Sequence, residues 1–163
     1  MHRCAPKTTL VEARIQRVVS GHTLEVTIPS ADPARIQRVR LIGIDAPNIE
    51  QKPWGANAQQ FLQQQLDRQV PEGSTDKPSV ELEVDLQQQD EYQRVLAYVW
   101  QDNQLLNQVM IAQGHALAAS RLPNVRYEER LKRAQESARL SGLGLWDPQN
   151  PMRQTPVEFR GTL

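Results

Sequence analysis

From Leu10 to Ile28 apolar and polar positions alternate, with Val11, Ala13 and Ile15 ahead of Ser20-Gly21 and Leu24, Val26 and Ile28 beyond it. A period of two belongs to a half-buried strand, so the two runs predict a hairpin with Gly21 supplying the turn. Residues 30–35, with Asp32-Pro33, read as a loop. The run IQRVRLIGI over 36–44 alternates again and stops at Asp45-Ala46-Pro47, where proline removes a ladder donor. Between Gly55 and Leu66 the period changes: Ala58, Phe61, Leu62 and Leu66 fall at helical intervals, with glutamines in the outward positions. PEGSTDKPS over 71–79 is a loop, and VELEVDL and RVLAYVW on either side of 87–93 are two further strands, the second rich in β-branched and aromatic residues.

A second helix is expected from about Leu105, capped by Asn103, with Leu106, Val109 and Met110 inward and an end at Gln113-Gly114. A third follows Pro123-Asn124, with Tyr127, Leu131, Ala134 and Ala138 as its apolar stripe, Glu128 and Glu129 in the first turn and Gly142 at its end. After Trp146, Pro148, Pro151 and Pro156 predict an irregular or partly disordered tail over 148–163. Five short strands, a helix inserted after the third and helices at the end predict an α+β domain whose small sheet closes into a barrel.

Composition changes this picture in two places. The 163 residues suit one domain, and no run of eighteen apolar residues is present, which excludes a helical membrane span. Lys plus Arg and Asp plus Glu are 19 each, which argues against general polyanion adhesion unless charge is segregated. It is: seven basic stand against four acidic residues in 1–47, four against ten in 48–110, and eight against five in 111–163. Arg126, Arg130, Lys132, Arg133 and Arg139 have helical spacing and read as a solvated face, with a phosphate-binding surface as the other reading. The single Cys4 reads as a free thiol, and His2 and His115 add no ligand spacing. The opening MHRCAPKTTL lacks the apolar stretch of a signal peptide; export stays open if a leader lies outside this chain.

At VRLIGIDAPN, residues 39–48, the chain resembles the staphylococcal nuclease (thermonuclease) family, and VVSGHTLEV, PWGANAQQFL, DEYQRVLAYVW, LLNQVMIAQGHA and the stretch from Asn124 to LGLW follow in the family's order. The resemblance spans about residues 10–147, leaving an N-terminal extension of 1–9 and the Pro-containing tail of 148–163. It implies an OB-fold, a five-stranded β-barrel with three helices, and Ca²⁺-assisted cleavage of DNA and RNA phosphodiesters. That chemistry needs hard oxygen ligands, a carboxylate to activate water and guanidinium groups on the phosphate.

By the same resemblance Arg40 and Arg94 are the phosphate arginines and Asp45 a metal ligand. On a regular strand Arg40 and Asp45 would face opposite ways, so sharing a site requires a break, for which Gly43 is the natural place. The second metal aspartate falls on His22, read as an exposed hairpin residue; the general-base glutamate falls on Asn48; and the threonine after the aspartate is Ala46, whose backbone carbonyl is the remaining candidate ligand. On the substrate side Tyr92 keeps an aromatic, Glu91 replaces a lysine, and the two base-flanking tyrosines fall near Ser120 and Leu122. An amide cannot take a proton from water and Ca²⁺ binds imidazole poorly. The substitutions therefore predict a catalytically impaired or inactive nuclease homologue, a module for nucleic acid or for a protein partner. The acidic middle segment, with Asp85, Asp90 and Glu91 beside Arg94, favours protein or weak nucleic-acid binding. The alternative is an active metal-dependent phosphodiesterase, with Mn²⁺ or Zn²⁺ on His22 and Asp45 and Glu50 or Glu91 as a displaced base.

Overall fold

The computed structural model describes residues 9–31 and 33–163; His2, Cys4 and Asp32 lie outside the described residues. Strand β1 (Val11–Ser20) pairs antiparallel with β2 (Thr23–Thr27), and β2 with β3 (Ile36–Leu41). The other edge of β1 pairs with β5 (Ser79–Glu83), which pairs with β6 (Val95–Gln101). A parallel pairing of β3 with β6, Val39 against Val95 through Leu41 against Ala97, closes the sheet. The result is a closed five-stranded mixed barrel, in which closure leaves no free edge along the paired segments. The two-residue strand β4 (Ile44–Asp45) leaves the barrel to pair with β8 (Leu117–Ala118), and β7 (Gln104–Leu105) folds back on β6.

Alternation along the strands fills the barrel: Ala13, Ile15, Leu24, Val26, Val39, Leu41, Val80, Leu82, Ala97 and Val99 are all buried. Helix α1 (Trp54–Asp67) packs Ala58, Leu62 and Leu66 against it, and α3 (Glu128–Ser141), which buries Leu131, Ala134 and Ala138, packs on the helix over 106–112 and on β8 and ends at a left-handed Gly142 as its sequence predicts. Together these make an α+β molecule with the OB-type barrel that the resemblance implies.

Four local expectations are corrected. Helix α2 (Leu106–Ala112) starts after Leu105, and Asn103, with φ of 63°, serves the β6–β7 turn instead of capping it. Its inner face carries the fully buried Asn107 and Ile111, while Val109 is only half-buried. The tail is ordered: α4 (Pro156–Arg160) has a complete capping box, Thr155 accepting from the Glu158 amide and Glu158 from the Thr155 amide. Finally, Gly21 has no left-handed backbone and is needed for space. A Cβ there would lie 2.7 Å from the Ala58 Cβ and 2.8 Å from the Ala46 Cβ, so the hairpin tip rests directly on α1 and on the loop after Asp45.

This close approach predicts that Gly21→Ala lowers unfolding free energy by about 1–3 kcal/mol through overpacking, measured by denaturant titration. A loss below about 0.5 kcal/mol would mean that the tip is not seated on α1.

Candidate functional site

The site is made by the way β3 ends. Leu41 N–H donates to the His22 carbonyl at 2.9 Å and Ile42 N–H to Ala97 at 3.0 Å, after which Gly43, at φ of 78°, turns the chain out of the barrel. The buried Asn107 pins the bend, donating to the Ile42 carbonyl at 2.7 Å and accepting from Val99 N–H at 2.9 Å. This break brings Arg40 and Asp45 together, Nη2 to Oδ1 at 3.8 Å, as the position of Gly43 leads one to expect. The Arg40 Nη1 donates to the Leu41 carbonyl at 2.6 Å. Burial chiefly, with the nearby charges of Arg94, Arg160 and Arg121, pushes the Arg40 pKa down to about 10 against the support of Asp45, so it stays cationic at neutral pH.

His22 is not an exposed hairpin residue. Its side chain is 14% exposed, and Nδ1 accepts from the Ala46 amide at 2.9 Å. A ring accepting at Nδ1 carries its proton on Nε2 and is neutral. Burial first, and then the charges of Arg40, Arg160 and Arg94, hold its pKa well below the ordinary histidine value. The 3.8 Å approach to Asp45 Oδ1 is thus a contact of a neutral ring, not an ion pair.

Asp45, with a side chain 9% exposed, has a partner that the sequence reading missed. Arg160 of α4 donates from Nη1 to Oδ1 at 3.1 Å and from Nη2 to Oδ2 at 3.0 Å, a fork on both oxygens. The tail is held a second time where the buried Gln51 donates to the Gln154 carbonyl at 2.7 Å. The one sequence signal for this was Thr155-Pro-Val-Glu158, a capping-box spacing with proline at the first helical position. At the base position, the Asn48 Oδ1 accepts from Glu50 N–H at 2.9 Å, while the Glu50 side chain is exposed.

Arg94 is fixed by its own loop. Asp90 accepts from the Tyr92 and Arg94 amides, each at 2.9 Å, and from Arg94 Nε at 2.7 Å. Burial raises the Asp90 pKa, but these bonds outweigh it and hold the carboxyl below its usual value. The guanidinium lies 5.5 Å from the centre of the Tyr92 ring, and that ring is 72% exposed. Its terminal nitrogens have no protein hydrogen-bond partner among the described residues.

A family model described as staphylococcal nuclease homologue matches residues 38–148. Thermonucleases of Staphylococcus hyicus and Staphylococcus intermedius are each 32% identical over 138 residues, covering 82% of this chain and 74% of theirs. The chain belongs to the staphylococcal nuclease family. A more distant relative, the SPbeta prophage-derived endonuclease YokF of Bacillus subtilis (strain 168), is 26% identical over 144 residues, 84% of this chain and 44% of its own length.

The residues at the positions that the resemblance assigns to the metal do not fit a resident Ca²⁺, which takes six to eight oxygen ligands. Both Asp45 oxygens are bonded to Arg160, the Nδ1 lone pair of His22 is used by the Ala46 amide, and the Asn48 oxygen by Glu50 N–H. The same occupancy disfavours Mn²⁺ or Zn²⁺ on His22 and Asp45. Among the described residues no group of three or more His, Cys, Asp or Glu side chains is arranged to hold a metal.

The acidic middle segment also reads differently in three dimensions. Glu83 and Asp85 are buried: Glu83 accepts from Tyr127 Oη at 2.7 Å and Arg126 Nη1 at 3.0 Å, and Asp85 from Tyr98 Oη at 2.8 Å. Arg130 donates to Gln108 and lies 5.5 Å from the Trp100 ring, while Lys132 and Arg139 pair with Glu128 and Glu136 on the helix surface. Only Glu91 of the acids named beside Arg94 is exposed, and the basic stripe of α3 is largely matched by acids and aromatic rings.

His22 and His115 both have pKa values lowered in the fold, His115 by burial beside Phe61, whose ring it stacks on at 4.4 Å. Below about pH 6.5 the unfolded chain therefore binds more protons than the folded one, and stability falls as pH drops through that range. His22→Asn keeps an acceptor for the Ala46 amide and removes the titrating ring. Its melting temperature is expected to fall less than that of the wild type between about pH 7.5 and pH 5.5. An equal fall in the two proteins would contradict a buried, neutral His22.

Proposed function

We propose that this domain is a nuclease-family barrel in which metal-assisted hydrolysis has lapsed, while Arg40 and Arg94 still bind the phosphates of single-stranded nucleic acid. The observation that carries the reading is the occupancy of donor atoms: every side chain at a metal or base position is bonded to the protein itself. Asn48 in place of a carboxylate removes a general base, a loss of about 10²–10⁴-fold by itself. What supports retained binding is that Arg40 remains charged although buried, and that Arg94 is held in place through Nε alone. Planar guanidinium forks suit phosphate oxygens. The exposed Tyr92 offers a flat face for a base, a contact worth about 1–3 kcal/mol in single-strand binders. The relatives' names, thermonuclease and endonuclease, agree with nucleic acid as the ligand class. A protein partner loses its main support, because Asp85 is internal and Asp90 is committed to Arg94.

The test is incubation of the purified protein with single-stranded DNA and RNA in EDTA, Ca²⁺, Mn²⁺ or Zn²⁺. The expected outcome is no metal-dependent product, together with single-strand binding whose affinity falls as salt is raised. Metal-dependent cleavage that disappears in Arg94→Ala would overturn the lapsed-enzyme reading and favour the displaced-base phosphodiesterase. No measurable single-strand affinity at low salt would remove nucleic acid as the ligand.

A further inference from the structure

We infer that Arg160 is a phosphate-binding residue: the C-terminal segment supplies its guanidinium as the cation beside Asp45, so the site takes a nucleic-acid phosphate without a divalent metal. The inference rests on the nucleic-acid reading above and deepens it.

A metal in such a site has two tasks, neutralising an aspartate and presenting positive charge to a phosphate oxygen. Arg160 already performs the first, with its two bonds to Asp45. A guanidinium carries five N–H donors, and two are used here. The remaining three have no hydrogen-bond partner among the described residues and can serve the second task, and the side chain is 39% exposed where Asp45 is 9% exposed. Arg160 is thus the outward half of the pair. The segment is built to hold it there: Pro156 is buried, the Met152 amide donates to Leu145 at 3.0 Å, Gln154 is tied to Gln51, and Thr155 and Glu158 cap α4.

The charge balance agrees. The guanidiniums of Arg94, Arg121 and Arg160 are near enough to Arg40 for their charge to be felt there, and the carboxylates paired among the four are Asp45 and Asp90. Positive charge is therefore in excess without any ion, which is the complement a phosphate requires. A divalent cation beside Arg160 would be repelled.

Binding of a labelled oligothymidylate, followed by fluorescence anisotropy, tests this. Wild-type affinity should be the same in EDTA and in Ca²⁺, and Arg160→Gln should weaken it about tenfold or more, with Arg160→Lys recovering only part because a single ammonium cannot fork across both partners. Because Arg160→Gln leaves a buried carboxylate unpaired and can unfold the chain, the same comparison is made in an Asp45→Asn background. There, addition of Arg160→Gln should again cost about tenfold. Affinity unchanged or tightened by removing Arg160 in both backgrounds, or wild-type affinity that rises with Ca²⁺, would overturn the inference. If Arg40→Gln loses binding while Arg160→Gln does not, only the inference fails and the nucleic-acid reading stands. If the wild type itself does not bind, both fall.

Discussion

Asp45 stands at the point where the chain leaves the barrel, nearly out of reach of water, and a buried ionised carboxylate is costly unless it is paired and hydrogen-bonded. Much of the site is arranged around that requirement. Gly43 turns the backbone so that Arg40 faces the carboxylate, at a separation of 3.8 Å that leaves both oxygens short of a hydrogen bond from it. His22, the nearest other polar side chain, spends its Nδ1 lone pair on the Ala46 amide and stays neutral, so it adds no positive charge. The pairing is completed from 115 residues away, by Arg160. An ordered C-terminal segment and an occupied carboxylate are in this sense one feature.

The same interaction connects the family scaffold to what this member does with it. The closed barrel is that of a nuclease-family domain, and the closeness to thermonucleases extends over most of the chain. The charge at the centre has been exchanged. By the resemblance, one carboxylate position holds an imidazole and another an amide, and on the proposed reading Arg160 stands in for the cation expected from solution. Guanidinium and Ca²⁺ both neutralise a carboxylate and both attract phosphate, but a guanidinium has no coordination position at which a water could be bound and ionised. On the function proposed above, such a site would keep recognition and give up the generation of a nucleophile.

Legibility in the sequence followed the range of the interaction. The strands of the barrel and the faces of α1 and α3 were readable because alternation and helical spacing are local signals of burial, and Gly142 ends α3 for a local steric reason. Even the approach of Arg40 to Asp45 was readable, since two residues five apart on a strand need a break and Gly43 lies between them. His22 was misread because a turn residue after glycine looks exposed by pattern, whereas the hairpin tip at Gly21 is seated on Ala46 and Ala58 and the His22 ring bonds to the Ala46 amide, all distant in sequence. Asn107 has no local signature, since its amide satisfies backbone groups at the bend that are distant in sequence. The tail was misread most completely: three prolines and a five-residue helix give no periodicity, and the contact that orders it has no local signature beyond the capping box.

The claim that Asp45 and Arg160 organise each other is tested most directly by a double-mutant cycle on stability, with Asp45→Ala, Arg160→Ala and the double variant compared with the wild type by denaturant unfolding. The account predicts that the two changes are coupled by about 1–3 kcal/mol, with Arg160→Ala less damaging once Asp45 is already gone. Additive losses, equal to within about 0.5 kcal/mol, would contradict it.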